Sequence, residues 1–354
     1  MFKHHLLPLD FQSGKIELPQ GSGGRATAQL VEELFARHLR SPELSRGHDA
    51  AVLPPPQGRW AVSTDSFVVS PLFFPGGCIG DLAVFGSVND VSMAGAVPMA
   101  LTAGFILEEG FPLSQLKRIV IAMENALASV GIPMVSADTK VVERGKADGL
   151  FINTTCFGVI PDSATTPSPI FIDPERASPS DAILLSGPIG EHGIAILSQR
   201  EGISFETDVV SDTAPLHTLV QAMLSVEPDL HVLRDPTRGG VAAALHEIAH
   251  TAQVGIRLVE DHIPISHPVR SACELLGIDA LHLACEGRLL AICSKETAPQ
   301  VLAVMRAHPM GQQSALIGEV TLLSRETPYV ELQTHLGGKR LVAWPAGEQL
   351  PRIC

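Results

Sequence analysis

The sequence predicts an α/β protein of two domains followed by a flexible C-terminal tail. The chain has 354 residues, which exceeds the roughly 250–300 residues at which a single hydrophobic core usually stops growing. Short apolar runs rich in β-branched residues alternate along it with segments of helical periodicity. A stretch rich in Pro, Ser and Thr at residues 161–179 interrupts this alternation. Such a shift in composition is typical of a domain boundary.

In the first half, the pattern of apolar residues predicts three helices and four strands. The segment Leu113–Val130 has apolar residues every three or four positions and is a clear amphipathic helix. A glycine-rich loop, Gly21–Gly24, precedes a second predicted helix at Gln29–Leu39. We expect the strand Ile132–Ala137 to deliver Asp138–Lys140 at its carboxyl end. The other predicted elements are the strands Trp60–Val69, Ala100–Leu107 and Leu150–Ile160 and the helix Leu82–Ala96.

The second half again alternates predicted strands and helices, and it ends in a segment that is predicted to be neither. Predicted strands are Ala182–Leu185, Leu289–Cys293 and Ser314–Val320, and predicted helices follow Gly193 and cover Val241–Thr251 and Thr297–Ala307. The last residues contain two prolines and a glycine, which favour neither a helix nor a central strand. We therefore predict an N-terminal domain at 1–165, a C-terminal α/β domain at 166–336, and a mobile tail at 337–354 that ends in Cys354.

Composition excludes several classes of function. The net charge of −13 argues against a nucleic acid partner. No apolar run approaches the ~20 residues of a membrane span, and the N-terminus lacks the pattern of a signal peptide, so we expect a cytoplasmic protein. The six cysteines form no C-x-x-C pair and are interpreted as free thiols of a reducing compartment, with Cys354 the exception.

Aspartates recur at predicted strand ends and beside glycine loops, at Asp49, Asp65, Asp90, Asp138 and Asp235. Mg²⁺ prefers oxygen ligands and commonly bridges one or two carboxylates to phosphate oxygens. Taken singly, each aspartate is better explained as a helix cap or turn residue. Their recurrence nevertheless suggests a nucleotide site. Because the sequence lacks both the P-loop and the dinucleotide glycine patterns, phosphate binding would fall to loops such as Gly21–Gly24 at a helix N-terminus.

A different chemistry is suggested by His246-Glu247-Ile248-Ala249-His250, which matches the H-E-x-x-H pattern of zinc hydrolases. The apolar stripe of this predicted helix turns both histidines away from the core. A third zinc ligand would have to be Glu260 or Glu274, and neither has a recognisable context. We therefore favour the nucleotide site and keep the zinc hydrolase as an alternative.

Seven segments together closely resemble the HypE family of hydrogenase maturation factors. This family shares its aspartate and glycine loops with aminoimidazole ribonucleotide synthetase, selenophosphate synthetase and thiamine-monophosphate kinase. The resemblance covers essentially the whole chain, and the terminal P-R-I-C sequence distinguishes the HypE family from the other members. The segments are Gly21–Gly24, Ser63–Ser66, Asn89–Val91, Gly104–Gly110, Asp138–Val142, Arg234–Gly240 and Pro351–Cys354.

The resemblance implies a two-domain ATP-binding fold like that of aminoimidazole ribonucleotide synthetase and an ATP-dependent carbamoyl dehydratase. A carboxamide loaded onto the Cys354 sulfur by the carbamoyltransferase HypF would be converted to a thiocyanate. The cyano group would then pass to iron on the HypC–HypD scaffold as a cyanide ligand of [NiFe] hydrogenase. A homodimer is also implied.

Site residues follow from the same resemblance. Cys354 would carry the substrate, Lys140 would stabilise developing negative charge, and Glu286 and His308 would serve deprotonation and orientation. Mg²⁺ would be held by Asp49, Asp65, Asp90 and Asp138. ATP would be bound by Gly23, Gly24, Asp49, Asp65, Asn89, Asp90, Asp138, Thr139 and Asp235.

Three positions depart from the family pattern, and two other functions stay open. Cys285 stands where asparagine is usual, Arg288 where lysine is common, and His48 where an acidic residue is frequent. A small-molecule kinase or synthetase of the same superfamily would have no use for Cys354. A nucleotide-sensing scaffold would bind ATP without ever modifying that cysteine.

Overall fold

A computed structural model of the chain describes residues 7–46, 49–162, 170–202, 209–344 and 352–354. It confirms the α/β fold with two domains, each built on its own sheet. Parts of the predicted domain boundary and tail, residues 163–169 and 345–351, lie outside the described residues, as do residues 1–6, 203–208 and the divergent position His48. No helix in the described part of the chain is long and apolar enough to cross a membrane.

The first domain has a four-stranded sheet in the order β1-β6-β4-β5. Only β4 and β5 run parallel, and the other neighbours are antiparallel. Short helices precede the sheet, and the small hairpin β2–β3 follows β1. The elements are α1 (Arg25–Leu30), α2 (Ala36–His38), α3 (Pro42–Ser45), β1 (Gly58–Phe67), β2 (Phe73–Phe74), β3 (Gly77–Cys78), α4 (Ile79–Met93), β4 (Val97–Glu108), α5 (Leu113–Val130), β5 (Met134–Val142) and β6 (Leu150–Pro161).

Helices cover one face of this sheet, whereas the described residues leave much of the other face, called here the open face, exposed. The helix α4 is almost entirely buried, because it lies between the sheet, α5 and the second domain. The opposite face exposes large apolar side chains. They lie on the same face because successive side chains of a strand point to opposite sides of the sheet. These are Trp60, Val62, Val97, Met99 and Ile106.

The second domain has a seven-stranded sheet in the order β13-β12-β9-β11-β7-β10-β8. Its two faces are covered by separate apolar clusters. The elements are β7 (Ala182–Leu185), α6 (Glu191–Glu201), α7 (His217–Val226), β8 (Val232–Arg234), α8 (Gly240–Ala252), β9 (Gly255–Val259), α9 (His267–Leu276), β10 (Leu290–Cys293), α10 (Ala298–Ala307), β11 (Ala315–Thr321), β12 (Tyr329–Gln333) and β13 (Lys339–Leu341).

Two features differ from the sequence-based predictions. The strand β5 runs from Met134 to Val142, so Asp138–Lys140 lie within it and not at its carboxyl end. The reason is that β4 continues alongside, and Glu108 still pairs with Val142. The predicted tail began at residue 337, whereas Lys339–Leu341 form the edge strand β13 against β12. The second sheet therefore extends into the segment assigned to the tail.

Candidate functional site

A polar cavity of about 420 Å³ lies where the two domains meet. Its walls come from β1 and α4 of the first domain and from the segments after β8 and before β10 of the second. The last residue of the chain also contributes. The lining residues are Val62, Ser63, Thr64, Asp65, Gly86, Asp90, Met93, Arg234, Asp235, Thr237, Arg238, Glu286 and Cys354.

In the first domain, strand alternation and one hydrogen bond place two carboxylates in this cavity. Alternate residues of β1 face α4, so Ser63 and Asp65 point toward that helix. The Ser63 hydroxyl donates to Asp90 Oδ2 at 2.7 Å. Burial raises the pKa of both Asp65 and Asp90 above their ordinary value. A cation bound in the cavity would therefore stabilise the charged forms of both side chains.

The second domain adds Asp235 directly after β8, in the turn that opens α8. This turn is tight because Gly240 has a φ of +63°, and a Cβ there would lie 2.5 Å from the Leu283 carbonyl oxygen. Burial, with the nearby Asp90 carboxylate, raises the pKa of Asp235 to about 7. Arg238 lies in the same turn and supplies positive charge to the cavity. The N-terminus of α8 therefore brings basic groups and helix-dipole charge to the cavity.

Glu286 is a buried carboxyl group at the inner wall of the cavity. Its Oε1 has no hydrogen-bond partner. Burial raises the pKa of this carboxyl well above its ordinary value, and the Asp212 carboxylate adds to the shift. The backbone holds the residue in place, since Glu286 N–H donates to Asp212 Oδ1 at 3.0 Å. Burial therefore favours the protonated form of this carboxyl, which can deliver a proton and, once ionised, accept one.

Behind Glu286, a buried ion-pair network supports the wall. The Arg288 guanidinium donates to Glu191 at 2.8 Å, and its Nε lies 3.6 Å from Asp212 Oδ2. Gly287 lies so close to Asp212 that a Cβ would stand 1.8 Å from the Asp212 carbonyl oxygen. Arg288, which departs from the family pattern, is therefore a structural partner of this wall.

The tip of the C-terminal tail is bound against the body of the protein. Val68 N–H donates to the Cys354 carbonyl oxygen and Ser70 N–H to the Arg352 carbonyl oxygen, both at 3.1 Å. The Arg352 guanidinium pairs with Asp148. The Ile353 side chain is buried in the first domain's core. Cys354 is half-buried and lines the same cavity as Asp65, Asp90 and Asp235.

The base of the tail is held by histidines of the second domain, which include the H-E-x-x-H pair. His246 donates to the Val342 carbonyl oxygen at 2.9 Å and stacks on Trp344 at a ring distance of 5.4 Å. His250 also contacts the Trp344 ring. Glu247 forms an ion pair with Arg234. His246 lies outside the apolar cluster that holds the stripe of α8, and it is buried because residues 342–344 cover that side of the helix.

A second group of predicted residues lies at the opposite edge of the first sheet. Asp138 and Thr139 line a small cavity with Thr27 of α1. Gly23 and Gly24 precede that helix with positive φ angles. The row Asp138, Gly104, Asn153 and Ser66 crosses all four strands, so Asp138 lies three strand spacings, about 14 Å, from β1. Lys140 is on the same open face and pairs with Asp138 at 2.8 Å.

Three further predicted residues lie elsewhere. Asp49 is exposed in the segment before β1 and does not line the polar cavity. His308 accepts a hydrogen bond from Met310 N–H and caps a short turn after α10. Asn89 is buried on α4, and its side chain bonds backbone groups of the second domain. In a single copy of the chain, these three residues do not face the carboxylates of the cavity.

The donor set of the cavity suits Mg²⁺ bound together with phosphates. Within the described ranges, no three His, Cys, Asp or Glu side chains come close enough together to enclose a metal ion. Mg²⁺ does not need such a cage, because it usually takes one or two carboxylates, water and substrate phosphate oxygens. Asp65, Asp90 and Asp235 offer those carboxylates, and Arg234 and Arg238 offer charge for phosphates.

Sequence reasoning missed two buried residues that shape the site, Asp212 and His192. Asp212 holds the backbone of Glu286, and His192 contacts the tail through the Ile353 carbonyl oxygen. His192 lies in the first turn of α6, and the only nearby signals were the glycines that precede and begin this helix. Asp212 had no signal beyond its residue type.

Comparisons with known proteins agree with this architecture. The AIR synthase related protein N-terminal domain family matches residues 47–160, and the corresponding C-terminal domain family matches residues 178–331. The chain is 54% identical over 346 residues to the carbamoyl dehydratase HypE of Azotobacter vinelandii, covering 98% of this chain and 99% of that protein. It is 44% identical over 344 residues to the carbamoyl dehydratase HypE of Escherichia coli K12, covering 96% and 99%.

Solved structures of the same kind superpose closely. A crystal structure of hydrogenase maturation protein HypE in complex with ATP matches with a TM-score of 0.88 at 47% identity, covering 95% of this chain and 99% of that one. The crystal structure of a HypE–HypF complex matches with a TM-score of 0.77 at 44% identity, covering 89% and 99%. The chain therefore belongs to the HypE family of hydrogenase maturation proteins, built on the AIR synthase related fold.

Proposed function

We propose that this protein is an ATP-dependent carbamoyl dehydratase that acts on a carboxamide carried by its own Cys354. One observation carries the proposal: the chain's last residue lines the cavity that also holds Asp65, Asp90, Asp235 and Glu286. A terminal cysteine in a polar cavity between domains suits a thiol that is a substrate. The names of the relatives and the bound ATP in a relative's structure support the same activity.

The reaction converts a sulfur-bound carboxamide and ATP to a thiocyanate, ADP and phosphate. An amide oxygen is a poor leaving group. Transfer of the γ-phosphoryl group from ATP to that oxygen releases ADP and makes phosphate the leaving group. Loss of the nitrogen protons with departure of that phosphate then forms the nitrile. Mg²⁺ would neutralise phosphate charge. Glu286 could take a nitrogen proton once its carboxyl is ionised, and its place with Cys354 in the lining of the same cavity supports this role.

The reacting sulfur also has to leave the cavity to exchange its cargo. Residues 342–344 are anchored through His246 and Trp344. The ten residues from 345 to 354 span at most about 35 Å when fully extended. We infer that a carbamoyltransferase of the HypF class loads the thiol, and an iron scaffold of the HypC–HypD class unloads it, within that radius. The relative's HypE–HypF complex supports the first partner. We further infer a cytoplasmic location for these exchanges.

We also propose that two copies pair through the open face of the first sheet. This face carries exposed apolar side chains, including Trp60 and Met99 at 45% and 50% exposure, and contiguous apolar surface of this kind favours association. A two-fold pairing that stacks β1 over the partner subunit's β5 would bring Thr64 near the partner subunit's Asp138, because Thr64 lines the cavity and shares the open face with Val62. Lys140 and the Gly23–Gly24 loop would then reach the cavity from the second copy. Such an arrangement would unite the two groups of predicted residues.

The decisive experiment is mass spectrometry of the C-terminal peptide. Purified protein is carbamoylated on its thiols, by HypF or by cyanate, and incubated with Mg-ATP. We expect the Cys354 adduct to lose one water only when ATP is present. Cys354→Ala should still bind ATP but yield no such peptide product. An unchanged adduct on protein that binds ATP would instead favour a superfamily kinase or a nucleotide-sensing scaffold.

A further inference from the structure

The three residues at the tip of the tail each have a hydrogen-bonded backbone oxygen. The backbone oxygens of Arg352 and Cys354 accept from the Ser70 and Val68 N–H groups, respectively. The Ile353 carbonyl accepts from His192 Nε2 at 2.8 Å. The tip is therefore held through its backbone and not only by the Ile353 side chain.

The order of these bonds explains why a side chain is needed at the middle position. Residues 68 and 70 bond residues 354 and 352, the order of an antiparallel pair. The oxygens of residues 352 and 354 therefore point toward segment 68–70. Because the carbonyls of successive residues in such a pair point to opposite sides, the Ile353 oxygen points away from that segment. Among the described residues, His192 alone donates to it. The Arg352 carbonyl, in contrast, has a second donor in Arg200.

The surroundings of His192 fix which of its nitrogens carries the proton. The residue is fully buried on α6, and burial lowers the pKa of its imidazole to about 4. The neutral ring donates through Nε2 to Ile353, so Nδ1 must accept from the Ser211 hydroxyl at 2.8 Å. Ser211 is fixed in turn, because its oxygen accepts from Thr213 N–H at 3.1 Å. The donor aimed at the tail is therefore preorganised.

We propose that His192 is a positioning residue that fixes the register of the C-terminal tail and so keeps the Cys354 sulfur at the polar cavity. Without its Nε2 donor, the Ile353 carbonyl would be buried and unpaired, and the docked state of the tail would lose population. The proposed dehydratase function explains why the tail would need to dock at the cavity. The docking itself is a property of the resting protein and can be measured without ATP or a partner.

Thiol alkylation provides the test, because the other five cysteines are buried and Cys354 is the half-buried one. The rate of iodoacetamide labelling is followed by mass spectrometry of the C-terminal peptide, in wild type, His192→Ala, His192→Gln and His192→Asn. The glutamine amide nitrogen can occupy the position of Nε2, whereas the shorter asparagine cannot. We expect alanine and asparagine to speed Cys354 labelling about tenfold, and glutamine to stay near the wild-type rate.

Several outcomes would overturn the proposal. Equal labelling in wild type and folded His192→Ala, or equal acceleration by glutamine and asparagine, would show that the Nε2 donor does not hold the tail. Circular dichroism and the labelling of the five buried thiols check that each variant is folded. If His192→Ala does not fold, the comparison of His192→Gln with His192→Asn still tests the proposal. Failure of the dehydratase assay with normal labelling behaviour would reject the proposed function and leave the role of His192 intact.

Discussion

The Asn89 side chain on α4 donates to the Glu286 carbonyl oxygen at 3.3 Å and so ties the first domain to the wall of the cavity. The same amide donates to the Ala214 carbonyl at 3.0 Å and accepts from Leu216 N–H at 2.8 Å. Three backbone groups of the second domain thus depend on one buried side chain. Sequence analysis assigned Asn89 to ATP binding, which stays a prediction. In this structure it fastens the domains.

Replacing Asn89 with alanine should therefore destabilise the protein strongly. Removal of its amide leaves three buried backbone groups without partners, and we expect a loss of about 2–4 kcal/mol in the free energy of unfolding. Urea unfolding followed by circular dichroism measures it. Ser92→Ala is a matched control on the same helix, because its hydroxyl bonds only the Val88 carbonyl of that helix. Equal stability of the two variants would contradict the prediction.

The parts of the fold that could be predicted from the sequence are those whose signals lie close together in the chain. The helix Leu113–Val130 was predicted at its observed bounds because it begins after Pro112 and ends before Gly131, which takes the left-handed conformation. The strand β9, with five residues, is too short to show periodicity and was missed. The helix α9 was also missed, although its apolar residues follow helical spacing. The extent of β5 was also wrong, because the pairing with β4 that extends it is tertiary information.

The candidate site was less predictable, because it depends on contacts distant in the chain. Resemblance selected Asp65, Asp90, Asp235, Glu286 and Cys354, and the structure brings all five to one cavity. The resemblance alone could not show that Asp138, another aspartate on a strand, lies away from this cavity. Only the strand order shows that Asp138 lies at the other edge of the sheet. Roles for these residues in catalysis remain predictions.

Removal of the Arg288 guanidinium should leave a buried charge without its partner. The Asp212 side chain is fully buried, and Arg288 is the cation that opposes the rise in its pKa caused by burial. We expect Arg288→Ala to lose about 3–5 kcal/mol at pH 8, and less at lower pH, where Asp212 binds a proton in the folded variant. Arg340→Ala, which breaks the exposed pair with Asp279, should lose under about 1 kcal/mol. Similar losses in both variants would argue against a buried network.

Asp235 should make the protein less stable as the pH rises. Its folded pKa of about 7 is above the ordinary value of 3.8, so between these values the folded state binds more protons than the unfolded state. The free energy of unfolding should therefore fall as pH rises from 4 to 7 and level off above. Asp235→Asn should reduce this fall by on the order of 2–4 kcal/mol. An unchanged pH profile, matching that of the exposed control Asp261→Asn, would contradict the assignment.

The same carboxyl should couple Mg-ATP binding to proton release. A cation at the cavity favours the charged forms of Asp235 and Asp90, so protons must leave when it binds. We expect Mg-ATP affinity to increase as pH rises toward 8. Titration calorimetry in buffers of different ionisation enthalpy measures the number of protons released. Asp235→Asn should release fewer, whereas identical release would place the metal away from this carboxylate.

The proposed pairing of two copies predicts a change in mass when the open face is disrupted. Met99 lies on that face and is half exposed, so Met99→Glu would place a charge within the interface. Light scattering should give a dimer for the wild type and a monomer for this variant. Leu322→Glu alters an apolar side chain of the second domain that is 74% exposed, and it should remain dimeric. A monomeric wild type would overturn the pairing.

Complementation between two inactive variants tests whether the site is shared between copies. Asp138→Asn and Glu286→Gln should each abolish dehydration of the Cys354 adduct. If Asp138 acts on the cavity of the partner subunit, a mixed dimer contains one site in which both residues are intact. Because random mixing makes about half of the dimers mixed, about a quarter of all sites should regain activity. Mixing after mild unfolding and refolding, followed by mass spectrometry of the C-terminal peptide, measures this recovery. No recovery in dimers of normal mass would mean that the two residues serve the same copy, and the two separated groups of the sheet would then need a different explanation.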